Sequence, residues 1–159
     1  MNKNSDKLVN CPFCSPDNQR IAFASSNSFL ALYNIAPILP GHSLIIPKIH
    51  VKSLHSLSDE LICELFVFAR QVTNVLLNFY MADAFDWSLQ DNEAAGQTIQ
   101  HLHLHIVIRK PADLPNPGDW YPLLDSKKIG DSMERPKMDM TEYTMITGRL
   151  KSEFLKHNF

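Results

Sequence analysis

The sequence has no run of apolar residues long enough to cross a bilayer, which takes about 18 or more, so no span is expected. Its opening residues, MNKNSDKLVN, lack the apolar core of a signal peptide. Neither a G-x-G-x-x-G run nor a P-loop occurs, which removes the usual glycine-rich phosphate cradles. Charge nearly balances: the net charge is -2 and the pI about 6.4. No strong basic field exists to hold a polyanion by counterion release, so a dedicated nucleic-acid binder is not expected. Cysteine is scarce, and three is an odd number and too few for a disulfide scaffold. The expected compartment is the reducing cytoplasm. No internal repeat or low-complexity segment is present.

What is there fits one globular domain of 159 residues, with 45% apolar and 20% charged residues. Residues 1–10 are polar and expected to be flexible. "SFLALYN", 28–34, and "HSLIIP", 42–47, read as strands around a turn marked by Pro37 and Pro40-Gly41. Leu61, Leu65, Ala69, Val72, Leu76 and Phe79 recur every three or four residues and predict a long amphipathic helix over 59–80. Ser58 is its N-cap, with Asp59 and Glu60 in the first turn. Cys63 on that helix is read as a small core residue. "AFDWSLQ", 84–90, and "TIQHLHLHIVIR", 98–109, read as further strands. Four prolines and Gly118 make 110–122 irregular, and a weaker helix is predicted over about 139–156. Strand pairs around one long helix indicate an α+β meander rather than a βαβ unit.

Within the last strand, His101, His103 and His105 alternate with Leu102, Leu104 and Ile106. Alternate side chains of a strand share a face, so the imidazoles are displayed together while the aliphatics enter the core. A histidine-rich polar face without chemistry is the plain alternative. A single zinc on all three is hindered, because the outer Cα atoms lie about 13 Å apart at a strand's rise. Nucleophilic catalysis is the third possibility. A neutral imidazole attacks phosphorus and leaves again, splitting one displacement into two, while its neighbours orient it and hold charge.

The stretch "AGQTIQHLHLHIVIR" resembles the signature of the histidine triad (HIT) superfamily of nucleotide hydrolases and transferases, and "SFLALYNIAPILPGHSLIIPKIHVKSLHSLSDE" resembles its upstream half. The resemblance implies an α+β HIT-like fold in one domain: an antiparallel sheet of about five strands, one long helix and a C-terminal helix, with the core over 11–110 and a variable C-terminal region over 111–159. It implies that His103 is the nucleophile on the α-phosphorus, giving a covalent nucleotidyl-histidine, with His101 and His105 flanking it. Asn34 would hold ribose hydroxyls. Gln97 and Thr98 would face the phosphates, and His42 would supply supporting hydrogen bonds. Gln90 matches a glutamine of the fragile-histidine-triad branch, which cleaves diadenosine polyphosphates, and would assist at the leaving phosphate. His55 and His157 are left as surface residues. Trp120 and Tyr121 are candidates for stacking on a base, with packing as the alternative.

Cys11 and Cys14 stand at C-x-x-C spacing, which alone leaves zinc, a redox pair and unligated thiols open. A thioredoxin-type motif needs a following helix, and Pro16 argues against one. In bacterial members of the superfamily the corresponding cysteines join two histidines, here His50 and His101. The resemblance therefore implies a structural zinc on Cys11, Cys14, His50 and His101 that leaves His103 unligated. Mg²⁺ can accompany a polyphosphate substrate without a protein cage. The implied substrate is a dinucleoside polyphosphate, and the implied assembly is a homodimer joining two sheets. Phosphoramidase, nucleotidyltransferase or phosphorylase chemistry on the same fold, a non-catalytic nucleotide-binding protein, and a zinc-dependent hydrolase are the competing readings.

Overall fold

The computed structural model describes residues 11–120 and 135–157. The expectations for residues 1–10 and for Tyr121 fall outside them. Five antiparallel strands form one sheet: β1 (Ala24–Ser25), β2 (Phe29–Tyr33), β3 (Ser43–Pro47), β4 (Ala84–Leu89) and β5 (Leu104–Arg109), in the order β1-β2-β3-β5-β4. β2 and β3 are buried along their whole length and pair from Phe29 opposite Pro47 to Tyr33 opposite Ser43. Pro47 closes β3, where a missing N–H costs the ladder least. The β2–β3 connection needs glycine at Gly41, whose φ is +90° and where a Cβ would sit 3.0 Å from Tyr80 and from Ile108. The Gly41 N–H also donates to the Tyr33 hydroxyl at 2.9 Å.

Three helices accompany the sheet: α1 (Asp17–Ile21), α2 (Asp59–Tyr80) and α3 (Met140–Lys156). The bounds of α2 match the periodicity, and the Ser58 hydroxyl accepts the Leu61 N–H at 3.4 Å, as its cap position demands. Leu65, Phe68, Ala69, Val72 and Leu76 are buried on one stripe of α2, each large side chain contributing roughly 1.5–3 kcal/mol of hydrophobic stabilisation. Asp139 caps α3 by accepting the N–H groups of Thr141 and Glu142. Tyr143, Leu150 and Phe154 of α3 pack into the same core, Phe154 edge-on to Phe68.

Three sequence expectations need correction. Cys63 is exposed: it lies two residues before buried Leu65, about 200° round the helix at 100° per residue, so it faces away from the core. A short helix, α1, does follow Pro16, because proline at a helix's N-terminal boundary gives up no helical hydrogen bond. The final strand begins at Leu104 rather than at 98. Residues 99–101 bend instead of pairing, and Leu102 N–H donates to Val51 O rather than to a sheet neighbour.

The inward and outward alternation survives that bend. Leu102, Leu104, Ile106 and Ile108 join Phe29, Ala31, Tyr33 and Ile45 under the helices. The opposite face carries a smaller apolar cluster of Ala22, Leu30, Leu32, Leu44 and Ile46, with Phe13 and Ile21 packed on it. His105 lies opposite Leu44 on β3 and Ser88 on β4, and so belongs to this second face.

Candidate active site and metal centre

On the second face, hydrogen bonds fix which nitrogen of each imidazole carries the proton. His103 Nδ1 lies 2.7 Å from the His101 carbonyl oxygen. A carbonyl only accepts, so Nδ1 holds the proton and Nε2 keeps a lone pair. The Ile38 N–H donates to His42 Nδ1 at 3.1 Å. His42 therefore carries its proton on Nε2, which donates to His105 Nδ1 at 2.9 Å. His105 is left with its proton on Nε2, as a donor. The three residues form an ordered set: an acceptor nitrogen at 103, a donor nitrogen at 105, and His42 behind it setting the tautomer.

Burial keeps all three neutral. It pushes His42 down to about 3, aided by the charge of Arg135, and holds His105 well below the ordinary imidazole range. His103 is lowered by burial against the opposing pull of the His101 carbonyl. A neutral His103 with a free Nε2 is the form able to attack an electrophile.

His103 and His105 open onto a cavity of about 680 Å³, large enough for a nucleotide. Asn34, Gln90, Gln97, Thr98, His103 and His105 line it. Asn34 Oδ1 accepts the Ala36 N–H at 3.0 Å, and its amide nitrogen lies 3.4 Å from His42. Gln90 donates to Ser88 Oγ. Gln97 commits both ends of its amide to the backbone, accepting from Asn92 N–H and donating to Lys52 O, so it shapes the loop around the cavity. Thr98 is exposed at the mouth. His42 is fully buried behind the lining, while His55 is exposed and His157 lies 3.9 Å from Glu153. Trp120 is buried.

Behind His103 lies a second cluster. Cys11, Cys14, His50 and His101 bring one ligand atom each within 4.8 Å of one another. Cys11 Sγ is 3.4 Å and Cys14 Sγ 3.5 Å from His101 Nδ1, and Cys14 Sγ is 3.2 Å from His50 Nδ1. Tetrahedral zinc at its usual bond lengths separates sulfur and nitrogen ligands by about 3.5 Å. His101 Nε2 donates to the Pro47 carbonyl at 3.0 Å, which leaves Nδ1 as the ligating nitrogen. Without a cation, burial and the neighbouring Cys11 push the Cys14 thiol up to about 11. A bound metal would reverse that by stabilising the thiolate. The four residues fit zinc in number, type and spacing.

Residues 15–112 match the family model of the HIT domain. The chain belongs to the HIT family. It is 33% identical over 122 residues to a bis(5'-adenosyl)-triphosphatase of Dictyostelium discoideum, covering 77% of this chain and 81% of that protein. It is 42% identical over 83 residues to an asymmetrical bis(5'-nucleosyl)-tetraphosphatase of Schizosaccharomyces pombe, covering 52% of this chain and 46% of that protein. The chain thus spans about half the length of that second relative. The crystal structure of a Zn-bound histidine triad protein of Mycobacterium smegmatis superposes with a TM-score of 0.69 at 23% identity, over 94% of this chain and 96% of that one. No helix among the described residues is long and apolar enough to cross a membrane.

The HIT signature did not indicate several residues of the site. Phe13 lines the cavity and packs against His103 with ring centroids 5.3 Å apart. Its position between two cysteines was the available signal. Arg135, Lys137 and Tyr143 line the cavity from the C-terminal region, beyond any motif. Arg109 binds Asp86 and Asp113 and donates to the Pro117 carbonyl, which anchors the proline-rich excursion to the sheet edge.

Proposed function

We propose that the chain is a hydrolase of dinucleoside polyphosphates that works through a nucleotidyl-histidine on His103. The observation carrying this reading is the hydrogen bond from His103 Nδ1 to the His101 carbonyl, which leaves Nε2 unprotonated on the wall of a nucleotide-sized cavity. Nε2 forms the bond to the α-phosphorus, and the anhydride P–O bond breaks with its electron pair leaving on the departing nucleotide. Water then attacks the same phosphorus, its proton is released, and His103 departs neutral. His105 donates from Nε2 to a phosphoryl oxygen, and Gln90 assists at the leaving phosphate. Asn34 holds the ribose, Thr98 meets the phosphates at the mouth, and Gln97 and His42 act as positioning residues. Mg²⁺ arriving with the substrate would be carried by the polyphosphate itself.

The names of the two curated relatives support the substrate class. Cys11, Cys14, His50 and His101 would hold a structural zinc that ties the N-terminal knuckle to the active segment. Thiolate ligands of this kind persist in a reducing compartment, and we place the chain in the cytoplasm on that ground. Edge strand β4, with Phe85, Phe66 and Val67 exposed beside it, supports a homodimer formed across that edge. Product analysis on diadenosine tri- and tetraphosphate, adenosine phosphoramidate and a nucleotide sugar tests the reading. Release of AMP from the diadenosine substrates, at a kcat/KM well above that for the phosphoramidate, is expected. A preference for the phosphoramidate or the sugar would overturn the substrate assignment.

A further inference from the structure

The cavity has an electrostatic deficit on its histidine side. His42, His103 and His105 are neutral, so they offer lone pairs and N–H groups but no positive charge. A dinucleoside polyphosphate carries several negative charges, and breaking its anhydride places another on the oxygen that leaves. That charge needs a fixed cation aimed at where it develops. Among the described residues lining the cavity, the charged side chains are Glu93, Arg135 and Lys137.

The two cations differ in position. Arg135 is half-buried and close enough to the histidines for its charge to lower both His42 and His105, whereas Lys137 is exposed at the rim. The segment carrying Arg135 is held in place. Met138 N–H donates to Ile35 O at 2.8 Å, one residue beyond Asn34. The Tyr143 hydroxyl donates to Tyr33 O at 3.0 Å, one residue before it. Asp139 caps the helix that follows. Residues 138–143 are thereby stitched to the end of β2 and the loop that carries Asn34 and leads into His42, with Arg135 three residues ahead of the first anchor. The guanidinium carried just before this anchored stretch is a planar fork of donors that matches phosphate oxygens.

We propose that Arg135 is a further catalytic residue, whose guanidinium holds the phosphate chain that departs when His103 takes the nucleotide. The inference rests on the hydrolase reading above. In the step it serves, the His103 Nε2 lone pair forms the P–N bond, the P–O bond of the anhydride breaks, and the electron pair goes to the departing phosphate oxygen. Arg135 compensates that charge and no proton is required there. A leaving group that departs as a neutral amine needs a proton instead and gains little from Arg135. This makes Arg135 a determinant of leaving-group class.

Comparison of R135Q and R135K with the wild-type chain, each on diadenosine triphosphate and on an adenosine phosphoramidate with a neutral amine leaving group, tests this. R135Q should lower kcat/KM for the triphosphate by roughly 100-fold, the scale of losing one charge-stabilising donor. The phosphoramidate rate should change less than about threefold, because nothing in its leaving group calls on the cation. R135K should recover most of the loss, since it restores the charge without the fork. Equal losses on both substrates, or a wild-type rate for R135Q on the triphosphate, would overturn the role of Arg135. If R135Q does not fold, R135M, which keeps the aliphatic stem and removes the charge, decides instead: the selective loss on the triphosphate is expected, and equal losses on both substrates would overturn the role. A wild-type chain that cleaves neither substrate would instead overturn the hydrolase reading itself, and this inference with it.

Discussion

His42 shows how one buried side chain can set both stability and chemistry. Its pKa falls to about 3 by burial, while an imidazole in an unfolded chain titrates near 6.5. Between those values the unfolded chain binds a proton that the folded chain refuses. The contribution of His42 to stability is therefore complete above about pH 6.5 and declines as the pH falls, by about 1.4 kcal/mol per pH unit. His105 is lowered in the same direction and adds to the slope. Urea midpoints measured from pH 7 to pH 5 should fall accordingly, and His42→Gln should flatten the dependence by about one proton. Gly41 makes a second test at this scale. Its φ of +90° strains any side chain there, and the Tyr80 and Ile108 side chains, 3.0 Å from an added Cβ, would have to give way. Gly41→Ala should cost more than about 1 kcal/mol, read as a shift in the urea midpoint.

Among the elements, the two longer helices, α2 and α3, were the most legible and the histidine-bearing segment 98–109 the least. The bounds of α2 could be read because its apolar positions repeat at helical spacing and Ser58 sits where a cap belongs. The alternation of His101 to Ile108 placed the aliphatics in the core and the histidines on the other side, but it extended the strand too far upstream. Periodicity reports which side a residue faces, not whether its backbone has a pairing neighbour, and Leu102 finds Val51 instead. Local rules also misjudged Pro16, whose ring is tolerated at the start of α1. The knuckle at Cys11–Cys14 was assigned its histidine partners by resemblance, and the fold brings those four residues together. Metal analysis of the purified chain should find one zinc per chain, and Cys14→Ser should abolish it. Where free zinc exceeds its dissociation constant a hundredfold, loss of the metal removes about 2.7 kcal/mol of stability, visible in a urea titration with and without chelator.

At the scale of the whole molecule, the fold class and the face carrying the site were legible, whereas the far wall of the cavity was not. Arg135, Lys137 and Tyr143 reach that wall through contacts such as Tyr143 with Tyr33, 110 residues apart in sequence. No local pattern encodes such a meeting. Among the described residues β4 is an edge strand of the sheet, which has its own consequence. Phe85 is 44%, Phe66 41% and Val67 48% exposed beside β4, and Trp87 stacks near both phenylalanines. Pairing of two β4 edges would cover these rings. Phe85→Asp should convert a dimer into monomers in sedimentation velocity, and a wild-type chain that sediments as a monomer at micromolar concentration would rule the assembly out.

The central claim is that His103 Nε2 makes and breaks a bond to a nucleotide's phosphorus. Rapid quenching of the wild-type chain with a diadenosine polyphosphate, followed by intact-mass and peptide mapping, addresses it directly. One adenylyl group should appear on the peptide carrying His103, and His103→Asn should lack it while losing about 10⁴-fold or more in kcat. Turnover that persists in His103→Asn, or an adduct on another residue, would contradict the account.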